Sequence, residues 1–142
     1  MSRVALINMA WGFFLVFLAA CGGVFLAVTT TEAFMRGPVT QTWESMLQAS
    51  SHGHTNLFGV LHVLLGLTMP YARATSRDDL LKSIGLGLGG FAMGPMLIVR
   101  SYLGPTLSTE LNGVIIGVCL SCALLAIGYH SFGLWRKVAL RG

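Results

Sequence analysis

Charge is what this chain lacks most. Of its 142 residues only 10% are Asp, Glu, Lys or Arg, while 54% are apolar; a soluble domain carries about 25% charged residues. A water-soluble fold of that composition would leave much apolar surface facing solvent, whereas in a bilayer that surface is in its preferred medium. Cysteine is scarce too. The three present, an odd number and all inside apolar runs, exclude a disulfide framework. No stretch alternates with the two-residue period of a strand, and an open sheet could not cross a bilayer with its edges unpaired. The net charge of +4 is not gathered into a basic patch interleaved with aromatics, so nucleic acid is not an expected partner. What remains is one all-α integral-membrane domain over residues 1–142, with lipid around it.

Four windows reach the roughly 20 apolar residues that a membrane helix needs. They run from about Val4 to Thr30, His52 to Arg73, Leu80 to Leu103 and Leu111 to Lys137. Leu18-Ala19-Ala20-Cys21 resembles a lipoprotein cleavage site, but the apolar run continues to Val28, so a retained helix is expected. Pro70 and Pro95 are each expected to bend or end a helix. Arg3, Arg73, Arg77, Lys82, Arg136, Lys137 and Arg141 fall at one end of this four-helix transmembrane bundle, and only Arg36 and Arg100 at the other. That asymmetry puts both termini in the cytoplasm. The first outer loop, about Thr31 to Ser51, carries Trp43, Met46, Leu47 and Ser50 at helical spacing, which predicts a short interfacial helix.

Small residues recur on the later helices. Gly85/Gly89, Gly90/Gly94 and Gly113/Gly117 are small-x-x-x-small pairs, which let helix backbones approach closely in lipid. Clearing space for a flat macrocycle is their alternative use. Cys119 and Cys122 share a face in mid-membrane, and packing is their expected role.

The candidate chemistry sits in Ser51-His52-Gly53-His54-Thr55-Asn56, with His62 further along. An imidazole inside a membrane helix is costly and marks a functional site by default. At about 100° per residue, His52, Thr55, Gly59 and His62 fall on one side, while His54 points about 160° from His52. His52 and His62 are about 15 Å apart along the axis, so they cannot chelate one metal ion together. A compact three-histidine zinc or copper site on this helix is therefore not expected; the histidine cluster, beside apolar and small residues, is read as holding haem b through His52 or His54. Counting inward from the outer ends sets Arg100 near the level of the pair, where a guanidinium suits a propionate. The same count sets Met93 near the level of His62, as a second candidate cofactor contact. His130 lies deeper, toward the cytoplasmic end of the fourth helix.

His54-Thr55-Asn56-Leu57 resembles the stretch that carries the low-spin haem ligand in cbb3-type oxidases and nitric oxide reductases. The pattern His-x-His-x-Asn-Leu-x-Gly resembles small four-helix membrane haem proteins related to subunit I of haem-copper oxidases, the styrene oxide isomerase type among them. Ala123-Leu124-Leu125-Ala126-Ile127-Gly128-Tyr129 is similar to a segment of the latter. The resemblance implies a homotrimer in a bacterial inner membrane, with haem as partner. Aligned on Gly59, the isomerase type's ligand falls at His52, whereas the oxidases favour His54. The isomerase's substrate-holding asparagine would fall at Phe58 and its tyrosine near Met96, so those two positions depart from that pattern.

Three functions compete on these residues. One is a haem protein working by redox or gas binding. The second is a ferric-haem Lewis acid acting on a small apolar substrate such as an epoxide, with Asn56 or Thr55 orienting it. The third is a cofactor-free accessory subunit of a larger complex. A copper centre would need three more histidines at one depth, and only His62 and His130 remain.

Overall fold

The computed structural model describes residues 1–37, 42–72, 75–105 and 110–140. Every regular element among them is helical: α1 (Arg3–Arg36), α2 (Trp43–Thr68), a 3-10 turn (Met69–Tyr71), α3 (Ser76–Met93), α4 (Pro95–Tyr102) and α5 (Leu111–Ala139). α3 and α4 form one rod interrupted at Gly94, which makes four rods.

Local chemistry sets the rod ends. α1 starts where Ser2 Oγ accepts the Ala5 N–H and continues past Thr30 to Arg36, because no glycine or proline intervenes before Gly37. α2 starts at Trp43, behind a reciprocal capping box between Thr42 and Ser45. No glycine or proline lies between Trp43 and His52, so the stretch expected as a separate interfacial helix is the opening of α2 itself. Pro70 opens the 3-10 turn after Thr68. Arg73, the expected end of the second span, and Arg141, counted for orientation, lie outside the described residues. α3 begins at Ser76, earlier than the expected Leu80, because Thr75 and Asp78 form a second capping box. At the other break Gly94 precedes Pro95, and Ser51 Oγ braces the junction by donating to the Gly94 carbonyl at 2.9 Å.

Three rods are long and apolar enough to cross a membrane: Arg3–Arg36, Ser76–Tyr102 and Leu111–Ala139. α2, at 26 residues or about 39 Å, has the length, but its polar stretch from Ser50 to Asn56 lowers its hydropathy. It lies inside the assembly, packed along α1 and meeting α3 and α4, while α5 packs along α3. The flanking rods bury narrow seams with a seven-residue step: Ala5, Gly12 and Ala19 on α1, and Ile116, Ala123 and His130 on α5. Their other faces turn large apolar side chains outward, Phe17 at 63% and Leu125 at 73% exposed. This is the surface of a multi-pass membrane protein.

The seams close through glycine. A Cβ on Gly12 would stand 2.5 Å from the Gly59 carbonyl oxygen, and one on Gly66 2.6 Å from that of Ala5, so α1 and α2 touch backbone to backbone. A Cβ on Gly85 would stand 2.9 Å from Ala126 Cβ, and one on Gly89 would collide with Ala123 and the Phe58 ring. The packing role expected of Gly85 and Gly89 is therefore borne out. Gly117, by contrast, faces open space.

Candidate functional site: a groove beside His52

α1 and α3 are tied near the Ser2 end, where Asn8 Nδ2 donates to Ser83 Oγ at 2.6 Å. Toward the opposite end a groove of about 750 Å3 opens between α1 and the α3–α4 rod, with α2 as its floor. That volume falls in the range of cofactor and small-molecule sites, about 300–1,000 Å3. Trp11, Leu15, Phe25, Phe91 and Ile98 form its apolar walls. Gly22, Gly87, Gly90 and Gly94 also line it and contribute no side chain. A Cβ on Gly22 or Gly87 would meet nothing within 4 Å, so these positions widen the groove.

The polar groups on the groove are few: Gln48, Ser51, His52, Thr55 and Tyr102. Most are satisfied. Ser51 Oγ donates to the Gly94 carbonyl, Thr55 Oγ1 donates to the Ser51 carbonyl at 2.8 Å, and Gln48 Nε2 donates to the Tyr102 hydroxyl at 3.3 Å. His52 is the exception. Its Nδ1 is buried with no hydrogen-bond partner among the described residues. The ring lies against α1 at Gly23, where a Cβ would stand 2.7 Å from Cε1 and 3.1 Å from Nε2. Glycine at 23 is what leaves the imidazole its place. A buried ring nitrogen without a partner needs an explanation, since buried polar groups are almost always paired.

Of the other expected site residues, His54 faces away from the groove. Its Nδ1–H donates to the Ser50 carbonyl at 2.8 Å, with Ser50 Oγ also near at 3.2 Å. Asn56 is exposed and does not line the groove. Arg100 is level with the start of α2: its carbonyl accepts from Trp43 Nε1 at 3.3 Å and its guanidinium lies 5.8 Å from the centre of that ring. It therefore stands further outward than His52. Met93 packs in the core next to Gly94, which meets Thr55; it stands nearer the level of Thr55 than that of His62. The groove thus gathers His52 and Thr55, and leaves His54, Asn56, His62, Met93 and Arg100 off its lining.

His62 belongs to another assembly. It is 3% exposed, and its Nδ1–H donates to Asn8 Oδ1 at 2.8 Å. Asn8 in turn donates to the Val4 carbonyl and to Ser83. Lys82, counted in the sequence only as an end-of-helix cation, is 2% exposed and holds Asp79 Oδ1 at 2.8 Å. Asn8, Lys82 and Tyr102 are the residues that sequence reasoning passed over. The signal for Lys82 was present: Asp79 and Lys82 stand three residues apart where the glycine-rich apolar run begins. Tyr102 gave none, since tyrosine near a helix end reads as an interfacial anchor.

Set against protein-family models, curated proteins and solved structures, the chain has no match. Among the described residues no three His, Cys, Asp or Glu side chains form a group able to hold a metal ion. A haem iron makes no such demand, because the porphyrin supplies four ligands and the protein need add only an axial one.

Proposed function

We propose that the protein is an integral-membrane haem b protein in which His52 supplies the axial imidazole and the groove accepts the macrocycle. The observation that carries this reading is the partnerless His52 Nδ1 beside an apolar, glycine-walled groove of about 750 Å3. The fit rests on three features. The volume suits a large planar ligand, the walls are apolar, and glycine leaves space where other residues would intrude. His52 is favoured over His54 because His52 lines the groove and His54 does not. When bound, the haem would supply redox and ligand-binding chemistry, or Lewis acidity in its ferric form. The chain's own part is to hold the imidazole, exclude water with Trp11, Phe25 and Phe91, and offer Arg100 near the rim to a propionate.

The test is the absorption spectrum of purified protein. A Soret band is expected in the wild type, absent from His52→Ala and retained in His54→Ala. Protein without iron, or a band kept by His52→Ala and lost from His54→Ala, would overturn the assignment.

A second reading, haem-dependent isomerisation of a small apolar epoxide, is favoured by Tyr102 and Thr55 on the groove. These hydroxyls could orient an oxygen-bearing substrate, a role that the exposed Asn56 is badly placed to fill. Turnover of an aryl epoxide that falls in Tyr102→Phe with the Soret band intact would support it; no turnover by haem-loaded wild type would end it.

The remaining assignments are a bacterial inner membrane, cytoplasmic termini and a homotrimer. Exposed small residues on α5, Gly117, Ser121 and Gly128, support self-association, since they allow close helix approach in lipid. A monodisperse monomer retaining haem would refute the trimer.

A further inference from the structure

A second cavity lies on the other side of α2, toward the end of the rods where α1 begins. It is about 170 Å3 and sits between α2 and α5 over α3. Its walls are mainly leucine, Leu61, Leu65 and Leu86 among them, and its polar lining is Thr68, Lys82, His130 and Ser131. His130 is 9% exposed, and its Nδ1 is buried with no partner among the described residues. Its Nε2 is 2.8 Å from Thr68 Oγ1. Because the Thr68 hydroxyl already donates to the Leu64 carbonyl at 2.6 Å, Nε2 must be the donor to Thr68. Nδ1 is then left as a buried acceptor. Lys82 supplies the opposite character: Asp79 engages one side of its ammonium, and further N–H groups remain.

Size, charge and access together narrow the ligand. An apolar cavity of about 150 Å3 takes up one benzene ring, so this one matches a single six-membered ring. The Lys82–Asp79 pair is neutral in sum, so nothing here favours an anion over a neutral oxygen compound. The rim residues Leu64 and Ile127 are 49% and 38% exposed on the apolar outer surface, which gives a ligand entry from lipid and its tail an exit to it. We propose that this cavity binds the ring of a neutral, lipid-soluble quinone or quinol. A quinone oxygen would accept from Lys82, and a quinol hydroxyl would donate to His130 Nδ1. The inference does not rest on the haem reading, because the two sites share no lining residue.

The experiment is calorimetric titration of the full chain in detergent with tetramethyl-1,4-benzoquinone, which is fully substituted and does not add to thiols. Saturable binding of one molecule per chain is expected. Ile127→Trp, which fills the cavity from its lipid-facing rim, should abolish it. In a parallel titration with the reduced form, tetramethylhydroquinone, His130→Leu, which leaves Thr68 bonded to the Leu64 carbonyl, should weaken binding about three- to tenfold, the scale of one hydrogen bond; undiminished binding would overturn the role given to His130. Gly87→Leu, which fills the other groove, should leave binding unchanged. Uptake no greater than into empty micelles would overturn the proposal, as would wild-type binding by Ile127→Trp, loss of binding in Gly87→Leu, or displacement of the quinone by decanoate.

Discussion

At the scale of single residues, the site depends on what is missing at position 23. The His52 ring occupies the space that a side chain there would take. Gly23→Ala should therefore turn the imidazole without unfolding the rod, since the nearest atoms are at the end of a side chain that can rotate. The expected outcome is a shifted or weakened Soret band at unchanged thermal stability; an unaltered spectrum would detach His52 from the chromophore. Asn8 supports a second argument at this scale. It joins α1, α2 and α3 by accepting from His62 and donating to Ser83. Asn8→Leu should cost about 1–3 kcal/mol by leaving His62 buried with neither ring nitrogen paired. Adding His62→Leu should recover part of that loss, because the orphaned group is then gone. Denaturant unfolding of the four members of this double-mutant cycle measures the coupling, and strictly additive losses would contradict it.

At the scale of elements, the glycines of α3 divide into two functions by position. Gly89 faces Ala123 and Phe58, whereas Gly87 faces the open groove. Gly89→Leu should destabilise by about 1–3 kcal/mol through overpacking. Gly87→Leu should be neutral or slightly stabilising, because glycine is a poor helix former, yet it should lower haem content by filling the groove. Unfolding curves and the ratio of Soret to protein absorbance would separate the two effects. The small-x-x-x-small spacing was legible in the sequence and correctly pointed to packing for Gly85 and Gly89. It could not show that Gly87 and Gly22 would make the room. The starts of α3 and α5 were legible to within a few residues, whereas the capping box of Thr42 and Ser45 went unread. The start of α2 was misjudged because the polar stretch around His52 reads as a boundary, although helical backbone tolerates it. The depth of Met93 was also misjudged, because counting from loop ends ignores the register that Gly89 and Phe58 impose. His52 could not be chosen over His54 from periodicity, which gives opposite faces but not which of them meets a groove.

At the scale of the whole molecule, an even number of rods returns the chain to the side where it began. Asn8 near the start of α1 lies beside Ser83 near the start of α3, and Lys82 lies 5.9 Å from the centre of the Tyr129 ring toward the end of α5. Among the described residues that end carries Arg3, Arg77, Lys82, Arg136 and Lys137, against Arg36 and Arg100 at the other. The bias predicts cytoplasmic termini, with the mouth of the His52 groove near Gln48 and Tyr102 on the outer side and the quinone cavity toward the inner side. Cysteine labelling in intact cells tests this. The native Cys21, Cys119 and Cys122 lie within long apolar helices, out of reach of a reagent that does not enter the bilayer, so they give little background. An impermeant maleimide should label Glu44→Cys, in the first turn of α2, and spare Arg77→Cys in the first turn of α3 until the membrane is permeabilised. The reverse pattern would invert the molecule, opening the His52 groove to the cytoplasm and moving any small ligand of the site to that compartment.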